Sequence, residues 1–176
     1  MDMFCEYLVK RKKGGKEKAL VALFILIGIL FTASVFWFLL PFIYYVAQPF
    51  VSFIFPILAF SWWGILILTK RYNIEFEYTI TGTDIDIDKI INRKKRKRVL
   101  STSVRKLEIV APLLSAKYND DCKALITVDC SKNDDKKTTY FAVYTKDNQR
   151  KCLIFDPSEK MLNIIKYHCR EKFFEA

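Results

Sequence analysis

Residues 74–91 read IEFEYTITGTDIDIDKII. Ile74, Phe76, Tyr78 and Ile80 alternate with Glu75, Glu77, Thr79 and Thr81. A period of two over eight residues is the pattern of a strand with one buried face. Gly82 and Thr83 supply a turn, after which Ile85, Ile87 and Ile91 alternate with Asp84, Asp86 and Asp88. The stretch therefore predicts a β-hairpin, and the rest of the chain arranges itself around it.

Downstream, further strands are expected over about Lys97–Val104, Lys106–Ala111, Lys123–Cys130, Thr138–Thr145 and Arg150–Phe155. Pro112 stops the second of these, and polar clusters at Asn119–Asp121 and Asn133–Asp135 separate the later ones. The period then changes. Asp156-Pro157-Ser158-Glu159 carries the signs of a helix start, with Asp at the N-cap, Pro at the first helical position and Glu three residues after the cap. Met161, Leu162, Ile165, Cys169 and Phe173 follow as one apolar stripe. The segment from Asn73 to Ala176 thus predicts about seven antiparallel strands, curved into an open barrel, with one amphipathic C-terminal helix covering an apolar end. Its length suits one small domain with its own core.

Upstream lies a different kind of sequence. Ala19 to Thr69 is a run of 51 residues without one charged side chain. One membrane-crossing helix needs about 20 apolar residues, so the run predicts a transmembrane α-hairpin of two helices. The first block is about Ala19–Pro41 and the second about Val51–Leu68, with Pro41, Gln48 and Pro49 as breakers between them. Proline is costly inside a helix, which places Pro41 and Pro49 at helix ends and makes Pro56 a first-turn residue or a kink. Trp62 and Trp63 suit either the membrane interface or the contact between helices. Gly28, Ala33, Ser34, Ala59, Ser61 and Gly64 are small enough for close helix contact. The expected organisation is a basic N-terminal segment, 1–18, a two-helix span, 19–69, and a soluble domain, 73–176.

Charge sets the orientation. Lys10, Arg11, Lys12, Lys13, Lys16 and Lys18 precede the apolar run, and Lys70 and Arg71 follow it. By the positive-inside rule both termini face the cytoplasm, and the chain is expected to be a multi-pass protein of a bacterial plasma membrane. A cleaved signal peptide has a much shorter apolar core. Five cysteines at irregular spacing, in a chain facing the cytosol, are expected to be reduced thiols and to form no metal site.

The order of elements resembles a pleckstrin-homology-like domain. The whole chain is similar to small bacterial membrane proteins, from Gram-positive anaerobes, that join a two-helix hairpin to a bacterial PH-like domain. The residues that carry the resemblance are Glu75–Ile91, the basic continuation Arg93–Arg98, the Arg105–Pro112 stretch RKLEIVAP, and the helix after Asp156-Pro157. The resemblance implies a membrane-tethered binding or scaffolding module rather than an enzyme. Eukaryotic PH domains that bind phosphoinositides carry basic residues around their first hairpin loop. Here that loop is taken as Thr81-Gly82-Thr83-Asp84, which is not basic.

Arg93, Lys94, Lys95, Arg96, Lys97 and Arg98 form the one concentrated charge patch of the soluble segment. Without these six, the segment holds 15 Lys and Arg against 16 Asp and Glu. The first strand should leave the membrane and the second return, which brings the run back toward the bilayer. With Lys70 and Arg71 it is the expected contact for anionic lipid head groups. A solvated turn is the plainer alternative. Nucleic acid is not the expected partner, because no aromatic residues interleave the run. Asp84, Asp86 and Asp88 mimic the opening of a calcium loop, but Lys89 and Lys95 stand where Gly and Glu are required. No cofactor and no catalysis are expected: His168 is the only histidine, and phosphate-loop, nucleophile-elbow and metalloprotease motifs are missing. Remaining expectations are a protein partner or homo-oligomer, or a role as accessory or regulatory subunit of a larger membrane complex such as a transporter or envelope machinery.

Overall fold

The computed structural model describes residues 4–46, 52–134 and 136–174. The chain divides into two compact units, Lys13–Asn73 and a second built from Met1–Lys12 together with Ile74–Ala176.

The second unit is mainly β: among the described residues it has the seven strands expected after residue 73, and an eighth from the N-terminal segment. Sheet 1 runs β1 (Phe4–Lys10), β2 (Ile74–Thr81), β3 (Asp84–Ile91), β4 (Lys95–Ser103), each antiparallel to its neighbour. Sheet 2 contains β5 (Leu107–Pro112), β6 (Ile126–Asp129), β7 (Tyr140–Lys146) and β8 (Gln149–Phe155) in the order β5-β7-β8-β6. Two expectations are corrected here. The N-terminal segment is not merely a basic flank, because it contains β1. And β6 runs parallel to β8, so the strands are not all antiparallel. β1 escaped the sequence pattern because Phe4 and Leu8 are apolar on its outer face, which blurs the alternation with Cys5 and Val9 on the inner one. Its partner β2 is also far away in sequence, with Lys10 opposite Glu75.

The inner faces of the two sheets enclose one core, in which Phe76, Tyr78, Ile80, Ile85, Ile87, Leu100, Leu107, Tyr144, Leu153 and Phe155 are buried. The outer face of sheet 2 is also covered. Ala111, Phe141, Val143 and Cys152 form a second cluster there with Cys122, and the Tyr118 ring packs against Phe141 at 5.0 Å. Cys122 lies in a short helix, Asp120–Ala124, which replaces the expected start of a strand at Lys123. Asn119 caps it by accepting from the Cys122 N–H, the usual role of Asn before a first turn.

The C-terminal helix spans Glu159–Cys169 and sends Met161, Ile164, Ile165 and Cys169 into the main core. Its N-cap is Ser158, which accepts from the Met161 N–H, not Asp156 as the sequence suggests. The Asp156 carboxylate is committed elsewhere. Buried to 2% exposure, it accepts from the Lys132 N–H and from the Thr139 hydroxyl at 2.6 Å. Beside it, the Tyr78 hydroxyl donates to the Cys130 carbonyl at 2.6 Å. Burial raises the Tyr78 phenol well above its ordinary value and pushes the Cys130 thiol up to about 12 and that of Cys152 to about 11. All five cysteines are free and buried.

The apolar unit holds α1 (Gly15–Val46) and α2 (Ile54–Lys70). α1 is long and apolar enough to cross a membrane; α2, at 17 residues, is shorter than one usual span. The expected end of the first helix at Pro41 is corrected, since α1 continues through it. Residues Val35–Leu39, just before the proline, form a π-helical turn, a common way for a helix to absorb a residue that cannot donate to the ladder. Gln48 and Pro49 lie outside the described residues. Pro56 sits in the first turn of α2, where its missing N–H costs nothing.

α1 and α2 pack antiparallel. Gly28 lies against Ile65 and Trp62, the Trp62 indole N–H donates to the Thr32 hydroxyl at 3.1 Å, and Val35 clusters with Ile54 and Leu58. Trp62 is therefore the tryptophan between the helices, while Trp63 is exposed and packs edge-on to Phe60. Of the small residues, Gly28 is at the contact, whereas a Cβ on Gly64 would meet nothing within 4 Å.

Candidate lipid-facing basic turn

The six-cation run is half turn and half strand. Asn92 and Arg93 both have positive φ, 51° and 56°, and the Lys94 N–H donates to the Ile91 carbonyl at 3.1 Å. This is a two-residue turn of the primed type that suits the twist of a hairpin. Asn tolerates the left-handed region well; Arg93 adopts it at a small cost. Lys95, Arg96, Lys97 and Arg98 then open β4.

Alternation along the strand sorts the charges by type. Arg96 and Arg98 share the outer face of sheet 1 with the acidic residues of β2 and β3. Arg98 lies 3.2 Å from Asp88 and 3.6 Å from Asp86. Arg96 pairs with Glu77 and stands 3.9 Å from Asp88. From the turn, Arg93 reaches Glu75 at 3.3 Å. A bulge in β4 opposite Ile87 and Asp88 maintains this arrangement, since it lets Leu100 point into the core while Arg98 points outward. The carboxyl of Glu77 is pushed above its usual range, by burial first and by a hydrogen bond with Glu6, against the lowering effect of Arg96.

All three arginines of the run thus hold carboxylates of their own sheet. Lys94, Lys95 and Lys97 are exposed and form no salt bridge among the described residues. The aspartates that mimic a calcium loop are spaced along β3, and Asp86 and Asp88 are tied to arginine. The partner carboxylates Glu75 and Glu77 escaped the sequence reading of the site. Their signal was present in the strand alternation that puts them on the aspartates' face.

The turn occupies a definite end of sheet 1. Lys10 pairs with Glu75, Ile74 with Ile91, and Ile91 with Lys95. The last residue of β1, the start of β2, the end of β3 and the start of β4 therefore form one row. The chain leaves for residues 13–73, and returns from them, at that row. Lys70 ends α2 and Arg71 caps it, so both belong to the other unit. β1 also changes which loop is first. The first hairpin of the domain is β1–β2, and its connection is the whole of residues 11–73; Thr81–Asp84 is the second loop.

No curated protein and no solved structure matches the chain. The family model described as Bacterial PH-like domain (DUF6106) matches residues 1–175, and the chain belongs to that family.

Proposed function

We propose that the protein is a membrane-tethered PH-like binding module, with both apolar helices crossing the bilayer and the β domain held at the inner leaflet by its basic turn. The observation that carries this reading is the β1–β2 register, which pairs Lys10 with Glu75. Two hydrogen-bonded strands of one sheet lie on the same side of a membrane. The chain between them must cross an even number of times. If α1 spans, the chain must return, and α2 is the apolar helix that can bring it back. Its 17 residues reach about 26 Å at 1.5 Å each, slightly less than the hydrocarbon core of about 30 Å. Local thinning or flanking side chains make up such a difference at modest cost. Clusters of Lys and Arg at both ends of the apolar run favour the cytoplasmic side for the β domain.

In this reading the arginines and lysines of the run have separate roles. Arg93, Arg96 and Arg98 hold the sheet end rigid through their carboxylates, and Lys94, Lys95 and Lys97 supply the attraction to lipid. At about 1 kcal/mol per cation near an anionic surface, the three lysines contribute roughly 3 kcal/mol. Because the apolar helices already confine the domain to the membrane, that is enough to bias its orientation. The test is amide hydrogen exchange of the full chain in nanodiscs of neutral or phosphatidylglycerol-containing lipid. Exchange across residues 92–97 should slow only with the anionic lipid. High salt, or the triple substitution Lys94→Ala, Lys95→Ala and Lys97→Ala, should abolish the difference. Equal exchange in the two lipids would count against the reading.

A further inference from the structure

A second group of cations gathers at the opposite end of the β domain. The Val104 N–H donates to the Thr83 carbonyl at 2.7 Å, which sets the short 3-10 turn Val104–Lys106 beside the β2–β3 loop, at the far end of sheet 1 from the basic turn. The last turn of the C-terminal helix and the 3-10 turn Arg170–Lys172 meet it there. Arg105, His168, Arg170 and Lys172, with Tyr167, Cys169 and Glu171, line a surface cavity of about 240 Å³.

The walls of this cavity are fixed in place. Cys169 Sγ donates to the Val104 carbonyl at 3.1 Å and Lys172 Nζ to the neighbouring Arg105 carbonyl at 3.3 Å. Just beyond, the Phe174 N–H donates to the Val110 carbonyl at 2.9 Å, which ties the chain end to β5. The charges, by contrast, are not neutralised by carboxylates. Arg105, Arg170 and Lys172 form no salt bridge among the described residues, and Glu171, the one carboxylate among the described lining residues, forms none there either. Arg170 lies over the Tyr167 ring at 5.5 Å. His168 Nε2 is buried and has no hydrogen-bond partner among the described residues.

The geometry points to an anion site here, for a phosphate or phosphate-monoester group. Two guanidinium forks suit the paired oxygens of a phosphate, and the lysine keeps donors to spare. The contrast with the basic turn carries the inference. Every arginine there is held by a carboxylate of its own sheet, whereas the arginines here pair with none among the described residues.

The test uses the full chain in neutral detergent micelles, titrated with inorganic phosphate and pyrophosphate and followed by ³¹P line broadening. A parallel arm uses neutral nanodiscs with and without phosphatidic acid and follows hydrogen exchange of residues 167–172. Phosphate binding that weakens about tenfold or more in Arg105→Gln/Arg170→Gln, and is unchanged in the triple lysine variant of the basic turn, supports a site for a soluble phosphate. Protection by phosphatidic acid alone, lost in the same arginine pair, supports the same chemistry with a lipid source, and counts against the orientation that holds the basic turn to the membrane. Because both arginines are exposed, the pair should melt with the parent, which separates lost binding from lost folding. Silence in both arms overturns the inference, as does binding that survives the arginine pair.

Discussion

β1 is the strand on which the domain's integrity turns, and removing it has a calculable cost. A fragment of residues 74–176 contains every element that the sequence pattern assigns to the soluble domain, yet it lacks β1. Val9, 1% exposed, would lose burial worth about 1.5–3 kcal/mol. Cys5, which behaves as a small buried hydrophobe, adds about 1 kcal/mol. The ladder to β2 runs along all seven residues from Phe4 to Lys10, and its bonds are worth about 0.5–1.5 kcal/mol each. Even a conservative total, about 4–7 kcal/mol, is comparable to the whole stability of a small domain, about 5–15 kcal/mol. The loss also bares the edge of β2 and invites aggregation. A second protein restores the strand without the apolar unit. Residues 13–72 are replaced by a two-residue Asn-Gly link, so that the Arg11 N–H can still reach the Ile74 carbonyl, now across a short hairpin loop. Size-exclusion chromatography, circular dichroism and urea denaturation compare the two. The linked protein should be monomeric, soluble and cooperatively unfolded, and the 74–176 fragment aggregated or disordered. A fragment that folds alone, with the same urea midpoint as the linked protein, would refute the claim that the apolar unit is an insertion within the domain.

Three further outcomes are expected. Asp156→Ala strips an acceptor from the Lys132 N–H and another from the Thr139 hydroxyl, and should destabilise the linked domain by about 2–4 kcal/mol in urea; Asp156→Asn should cost less. Stability should decline in alkali. The thiols of Cys130 and Cys152 ionise near 9 when unfolded and near 12 and 11 when folded, so their contribution is complete below pH 9 and is lost as pH rises through 11–12, with the buried Tyr78 phenol acting in the same direction. A urea midpoint unchanged between pH 8 and pH 11, or an alkaline slope undiminished in Cys130→Ala, would contradict this. In the apolar unit a Cβ on Gly28 would come within 2.6 Å of Ile65 Cδ1, which a side-chain rotation can relieve. Gly28→Ala should therefore be tolerated, while Gly28→Leu should part the helices and shift the Trp62 emission as its bond to Thr32 breaks.

The parts of the fold that were legible in sequence are those with local periodicity. β2, β3, β7, β8 and the C-terminal helix each carry a clean period and a turn signal at one end. β1 has a blurred alternation and a partner on the other side of an apolar insertion, so local pattern could not find it. The parallel pairing of β6 with β8 is likewise non-local. At the C-terminal helix, Asp156-Pro157 looks like a cap in sequence, but the carboxylate does better buried against Lys132 and Thr139, and Ser158 takes the cap. Pro41 would end a helix in isolation; the preceding π turn lets α1 pass through it. The basic run was visible as a count of charges. Its division into committed arginines and open lysines was not, because that depends on strand alternation together with the acids of β2 and β3.

The most direct test of the central claim is the number of membrane crossings between β1 and β2. Tyr45, 84% exposed near the end of α1, and Lys146, exposed at the end of β7, offer two positions for single introduced thiols, since the five native cysteines are buried. A membrane-impermeant maleimide applied to intact cells should label Tyr45→Cys, and should label Lys146→Cys only after permeabilisation. Labelling of both positions only after permeabilisation would mean that the apolar unit does not cross, and would contradict the two-span account.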